Sequence, residues 1–221
     1  FCMQNDFDHF DTHYWGIRDQ KLPLEHFKEV YPRMLSEVGW ESFPMMDTNR
    51  TYACEADMQV DSPVMMAHEK RPGGNKTVEY YVHDRYGKPE TFEEFIYLQN
   101  LVQGEAIKIA TEHLRTNKFR CNGIMYWQLN DCWPGLSCSS VDYNFGLKAL
   151  HYFSKRFFAP HLIAAEEKEG SLIVSVANDT PQAAAYQVLY RYLDFAGNVL
   201  DEKRLTAAVE KTADMDVLKI P

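Results

Sequence analysis

The feature that most constrains this chain is a change in patterning at Pro160. Before it, short apolar runs alternate with amphipathic stretches; after it, the chain reads as strands alone. The strongest element of the first part is 91–116. Thr91 and Glu94 stand at capping-box spacing, and Phe92, Phe95, Ile96, Leu98, Leu101 and Val102, then Ile107, Ala110 and Leu114, supply an apolar stripe for a long helix. On either side lie short buried strands, "RMLSEV" (33–38) and "CNGIMYWQLND" (121–131), the second ending in polar groups. "FDTHYWGI" (10–17) alternates polar and aromatic residues and predicts a further short strand. "PLEHFKEVYP" (23–32) predicts a helix with Pro23 near its start and Pro32 as its stop. Pro63 divides the stretch after Thr51 into short helices, "RPGGNK" (71–76) reads as a loop, and "GLKALHYFSKRFF" (146–158) predicts a helix closed by Pro160. This order makes the first part α/β, with parallel strands joined by crossover helices.

After Pro160, "SLIVSVAND" (171–179), "AAYQVLYRYLDFAGNVLDEKRL" (184–205) and "MDVLKI" (215–220) alternate as strands, with "AGN" (196–198) as a hairpin turn. A small all-β module of sandwich type is expected. The predicted division is therefore 1–159 and 160–221, with the boundary at 159–161.

With 221 residues, 45% of them hydrophobic and 25% charged, the chain has ordinary globular composition. The net charge of -9 and the lack of a basic tract make nucleic acid and anionic membrane poor partners. No apolar run reaches the length of about 18 residues that a membrane span needs. Five cysteines show no C-x-x-C pair and no zinc-module spacing, so buried thiols are expected, with a Cys132–Cys138 bridge left open for an oxidising compartment. His9 and His13 are four apart in a predicted strand, which does not put them on one metal-binding face, and the other histidines are scattered; no metal or cofactor is expected. "NKT" (75–77) and "NDT" (178–180) match the glycosylation sequon, a weak signal alone. Compartment is not legible: lysosomal, periplasmic and cytosolic locations all stay open. The start, "FCMQNDFDHFDTHYWG", lacks an initiator methionine, a basic stretch and a signal-peptide core, and the chain is expected to be a piece of a longer polypeptide.

Polar residues gather where the parallel strands should end: His13 and Tyr14, then Glu37, then Asn130 and Asp131. In (β/α) barrels that end of the sheet carries the active site. Glu37 closes an apolar run, and Gly39 allows a sharp turn just beyond it. The plain alternative is a strand-end carboxylate in a salt bridge or helix cap. The chemical reading is a nucleophile or general acid/base. Trp15, Trp40 and Trp127 offer flat apolar faces nearby, which suit the C–H faces of sugars, with polar side chains left for the hydroxyls.

Taken together, "SEVGWESFP", "GIMYWQLNDCWP" and "GLKALHYFSKRFFAP" resemble the C-terminal part of a β-mannosidase of glycoside hydrolase family 2. The resemblance implies the last strands and helices of a (β/α)8 TIM barrel followed by an immunoglobulin-like β-sandwich segment. It further implies a retaining exo-acting enzyme that removes terminal β-linked mannose from oligosaccharides or glycoconjugates. Glu37 would be the nucleophile and Tyr14, in "THYW", the group that touches and orients it. Trp127 would lie under the glycone ring, with Trp15, Asn130, Asp131 and Trp133 as further substrate neighbours. Family members often have Phe-Gly-Phe-Gln after the catalytic Glu; here the residues are Val38-Gly39-Trp40-Glu41, and Glu41 adds a second carboxylate. Tryptophans common in the family are replaced by Cys138 and Leu147.

A retaining glycosidase needs a second carboxyl about 5–5.5 Å from the nucleophile. In this family it lies in an Asn-Glu motif, and the Asn-acid pairs here are Asn5-Asp6, Asn130-Asp131 and Asn178-Asp179. The acid/base is therefore expected upstream, in the remainder of the parent polypeptide, and this stretch alone is expected not to hydrolyse glycosides. Other family 2 specificities, of the β-galactosidase or β-glucuronidase type, and a non-catalytic carbohydrate-binding fragment are the competing readings.

Overall fold

The computed structural model describes residues 6–221; Cys2 lies outside the described residues. β1 (Thr12–His13), β2 (Leu35–Gly39) and β3 (Ile124–Trp127) form a parallel sheet in that order. In register, His13 faces Glu37, and Gly39 faces Trp127. The helices around it are α1 (Gly16–Gln20), α2 (Met46–Asn49), α3 (Pro63–Ala67), α4 (Gly74–Tyr86), α5 (Phe92–Arg115) and α6 (Ala149–Phe157).

α5 organises this half. The Thr91 hydroxyl caps it by accepting from the Glu94 N–H at 3.1 Å. Phe95, Ile96, Val102, Ala106, Ile107, Ala110 and Leu114 are buried on one stripe, against Leu35 and Val38 of β2 and Leu150 and Phe157 of α6. A side chain at Gly104 would meet the Phe153 ring at 3.1 Å, so the glycine lets α6 approach closely.

The stripe is not wholly apolar. Gln99 accepts from the Phe43 N–H at 2.8 Å and donates to the Phe43 carbonyl at 3.3 Å. Gln103 accepts from the Ser42 hydroxyl and donates to the carbonyls of Trp40 and Ser139. These buried amides satisfy the backbone that continues β2 beyond its last ladder bond, as buried polar groups require.

The all-β half begins at His161. β4 (His161–Lys168), β5 (Ser171–Asn178) and β8 (Ala213–Ile220) form one antiparallel sheet, with β5 central; β6 (Ala184–Leu193) and β7 (Val199–Val209) form the other. Val176, Val188 and Val209 are buried together, with Tyr186, Leu205, Ala213 and Val217 packed around them. The expected turn at 196–198 is present: the Asp194 carboxylate accepts from the N–H groups of Ala196 and Asn198, and Gly197 takes a φ of 87°. The ends of α5 and α6 dock on this module. Arg115 donates to Asp179 at 2.5 Å and to the Phe157 carbonyl, Lys118 also reaches Asp179, and His113 meets Glu166 at 3.3 Å.

Several elements differ from the sequence expectation. The strand expected at 10–17 shrinks to two residues, because α1 starts at Gly16. Residues 24–29 form a 3-10 helix rather than an α-helix. The loop at 71–76 stops at Gly73 and opens α4, whose buried Val78, Tyr81 and Val82 make too short a stripe to stand out. β4 was not foreseen; it pairs with β5 along its whole length. Cys132 and Cys138 are both free thiols, so the bridge does not form. The sequon residues Asn75 and Asn178 are fully buried and donate to backbone carbonyls, so neither is open to modification in the fold. Among the described residues, no helix is long and apolar enough to cross a membrane.

Candidate active site

β2 carries Glu37 to the carboxyl-terminal end of the parallel sheet, between β1 and β3. Its side chain is 23% exposed, so it faces both protein and solvent. The Trp15 indole N–H donates to Glu37 Oε1 at 2.8 Å, and His13 Nδ1 lies 3.6 Å from the same oxygen. An indole nitrogen is a donor only, so this bond has a fixed direction and serves the carboxylate charge.

Gly39 makes the arrangement sterically feasible. A Cβ there would lie 2.4 Å from Cη2 of Trp15 and 2.6 Å from the Trp127 carbonyl oxygen. The indole therefore crosses the space a side chain would fill, with its N–H on Glu37 and its outer edge over Gly39. Across the β2–β3 pair, Trp127 ends its strand opposite Gly39 and is 51% exposed.

Tyr14 is not at the Glu37 carboxylate. Its ring is buried against Phe7 and Phe27, at centroid distances of 5.7 and 6.3 Å, and burial together with the Glu29 charge pushes its phenol up. Only its backbone N–H reaches Glu37, donating to the carbonyl at 2.9 Å. Successive side chains of a strand point to opposite faces. His13, at the end of β1, and Trp15, just beyond it, both reach Glu37 Oε1, and the Tyr14 ring turns the other way into the core. The side-chain donor that meets Glu37 Oε1 is the Trp15 indole and not the Tyr14 hydroxyl.

No protein-family model matches the chain. It is 31% identical over 182 residues to the β-mannosidase of Mus musculus, covering 76% of this chain and 20% of that protein. It is 30% identical over 183 residues to β-mannosidase B of Emericella nidulans, covering 80% of this chain and 22% of the relative. The crystal structure of β-D-mannosidase from Dictyoglomus thermophilum superposes with a TM-score of 0.93 at 28% identity, covering 98% of this chain and 27% of that one. The chain belongs with the β-mannosidases. It spans about a fifth of the length of the curated relatives it matches. An exo-chitosanase of Amycolatopsis orientalis, with a TM-score of 0.70 at 19% identity, covers 90% of this chain and 26% of its own and shares the fold.

Among the other residues that the β-mannosidase resemblance singles out, placement varies. Trp133 is partly exposed and stacks on His68 at 4.6 Å, which in turn stacks on Tyr52 at 4.0 Å. Asn130 is exposed, and its backbone pairs with Val141. The Asp131 carboxylate is enclosed, with 1% of its side chain exposed; it accepts from Ser137 at 2.5 Å and Ser139 at 2.7 Å and pairs with Lys70. It ties down its own loop rather than offering an open acceptor. Trp40 is buried edge-to-face on Tyr81 and presents no face to a ligand. Glu41 is equally occupied: Arg71 Nη2 meets it at 2.7 Å and Nε at 3.1 Å. Burial opposes the charge on Arg71, but the Glu41 contact outweighs it and raises the guanidinium further.

A hollow of about 310 Å³, lined by Leu114, Phe119, Cys121, Ile124 and Phe158, opens at the other end of the sheet. Ile124 pairs with Leu35, at the amino-terminal start of β2, so this hollow lies away from Glu37. Among the described residues, no cluster of three or more His, Cys, Asp or Glu groups is arranged to hold a metal.

Arg18 was not singled out from sequence, and His13 was read there as a polar strand-end residue with no role assigned. For His13 a further signal was available: it stands two residues from Trp15 in a stretch that alternates polar and aromatic residues.

Proposed function

We propose that this chain is part of a retaining exo-β-mannosidase and that Glu37 is its nucleophile. The observation that carries this reading is the Glu37 carboxylate itself. It is partly exposed at the strand end, fixed by the Trp15 N–H at 2.8 Å, and flanked across the sheet by the exposed Trp127. The three parallel strands are read as the last of a (β/α)8 barrel, and the module after the boundary at 159–160 as part of an immunoglobulin-like sandwich. Barrel active sites sit at the carboxyl ends of the strands.

In the reaction, one Glu37 oxygen attacks the anomeric carbon of a terminal β-mannoside. The bond to the leaving oxygen breaks through an oxocarbenium-like transition state while an acid/base carboxyl protonates that oxygen. The product is a glycosyl ester on Glu37, which a water molecule then hydrolyses, giving its proton back to the acid/base. Trp15 keeps the attacking carboxylate in place, and Trp127 offers an apolar face for the ring. The acid/base is assigned to the remainder of the parent polypeptide, since no Asn-Glu pair occurs in this sequence.

The test is to trap the intermediate. A fluorinated mannoside whose glycosyl-enzyme turns over slowly is incubated with the full-length polypeptide, and the labelled peptide is located by mass spectrometry. The label is expected on the peptide carrying Glu37 and is lost in Glu37→Gln. Labelling at another carboxylate overturns the nucleophile assignment, and faster turnover of a β-galactoside or β-glucuronide overturns the substrate class.

A further inference from the structure

The indole that holds Glu37 is itself held. Arg18 lies over it, with the guanidinium carbon 4.2 Å from the Trp15 ring centroid. The Arg18 side chain is only 12% exposed, and its Nε and Nη2 both reach Asp19 at 2.8 Å. Its hydrogen bonds thus go to Asp19, and its planar face goes to Trp15.

The local fold explains the overlap. Trp15 caps the start of α1, and Arg18 lies three residues on, one turn up the same side. The indole is wedged on three counts: its N–H on Glu37, its outer edge over Gly39, and one face under Arg18. Hydrogen bond and edge contact alone leave the ring free to rock about its long axis. A stacked guanidinium opposes that rocking, and it draws electron density from the ring toward the cation, which strengthens the N–H as a donor.

We propose that Arg18 is a positioning residue for Glu37, acting through Trp15. This rests on the reading of Glu37 as nucleophile. Arg18 would touch neither the sugar nor the reacting carboxylate. The competing account, an ion pair between Arg18 and its sequence neighbour Asp19, predicts little change, because Asp19 is 44% exposed and solvent screens the pair.

The test uses the full-length polypeptide, labelled with fluorotryptophan and read by fluorine NMR, with Trp15→Phe assigning the Trp15 resonance. Arg18→Met keeps the apolar stem and removes the planar cation. Its kcat is expected to fall about threefold to tenfold, with KM held within about twofold, the size expected for one cation–π contact. The Trp15 resonance should move toward the position it takes in Glu37→Gln, and Arg18→Lys should recover part of both effects. If Arg18→Met fails to fold, Arg18→Lys against the native protein gives the same comparison in smaller amplitude. The proposal is overturned if Glu37→Gln abolishes turnover while the folded Arg18 variants leave kcat and the Trp15 resonance in place. Turnover that survives Glu37→Gln is a different outcome: it removes the nucleophile reading and, with it, the role assigned to Arg18.

Discussion

Trp15, at the start of α1, meets Glu37 of β2 through one hydrogen bond of 2.8 Å, from an indole that can donate but not accept, to a carboxylate at the rim of the sheet. Removing that donor should cost reactivity more than fold. In Trp15→Phe the ring volume is largely kept, and a bond to a charged group worth about 1.5–3 kcal/mol is lost. The expected outcome is a fall in kcat of about tenfold to a hundredfold on an activated β-mannoside. Steady-state kinetics of the full-length polypeptide checks it, and an unchanged kcat would mean that the indole has no part in aligning the carboxylate.

Gly39→Ala should do comparable damage by a steric route. The added methyl would sit 2.4 Å from the Trp15 ring and 2.6 Å from the Trp127 carbonyl oxygen. The ring can swing aside, but the carbonyl belongs to the paired strand and cannot. Forced overpacking of this kind costs about 1–3 kcal/mol. The variant is expected to unfold at lower urea than the native chain and to show altered Trp15 fluorescence. Unfolding at the native urea concentration would mean that β2 and β3 separate more easily than their register suggests.

How far the site was legible in the sequence turns on a single residue of phase. Glu37 stood out because a charge ended an apolar run. The pairing partner did not, because a two-residue strand has no periodicity from which to tell the Tyr14 face from the Trp15 face. The Asp131 carboxylate reads as an available acceptor until Lys70, 61 residues away, is seen to enclose it with Ser137 and Ser139. Local signals fared better: the Thr91 cap and the stripe behind it are short-range features, and α5 forms almost where they place it. α4 hid behind a glycine pair that resembles a loop, and its buried stripe, Val78, Tyr81 and Val82, is short, with Tyr81 meeting Trp40 edge-to-face.

The junction between the two halves should fail when Asp179 is neutralised. Burial works against its charge, yet Lys118 and Arg115 outweigh that and hold the carboxyl below its usual range. A depressed carboxylate stabilises the fold above its unfolded pKa of about 3.9 and loses that contribution as pH falls toward the folded value. At neutral pH, Asp179→Asn leaves Arg115, 8% exposed, with its charge uncompensated. With Asp179 itself 35% exposed and partly screened, the expected loss is about 1–3 kcal/mol, below the range for a fully buried pair. Limited proteolysis should then cut near Ala159–Pro160 faster than in the native chain, and equal cutting rates would show that the β-module is held by other contacts.

Lys148 gives the fold a pH dependence of the same sign in an alkaline window. It is fully buried and donates only to neutral oxygens, the Ser42 carbonyl at 2.9 Å, the Ser42 hydroxyl at 3.1 Å and the Ser137 carbonyl at 3.4 Å. Burial pushes its ammonium down to about 8. In the unfolded chain a lysine titrates near 10.4, so between about pH 8 and 10.4 the unfolded state binds more protons, and stability from this group rises with pH. The full rise is on the order of 3 kcal/mol. Cys121 and Cys138 oppose it: burial pushes their thiols up to about 11 and about 12, so the folded state keeps protons that the unfolded one loses, and stability falls above about pH 9. The two effects separate in a difference measurement. Unfolding free energies of the native chain and of Lys148→Met, taken by urea titration between pH 7.5 and 9, should diverge steadily, with the native chain gaining relative to the variant as pH rises. Parallel curves would show that Lys148 is as easily charged inside the fold as outside it.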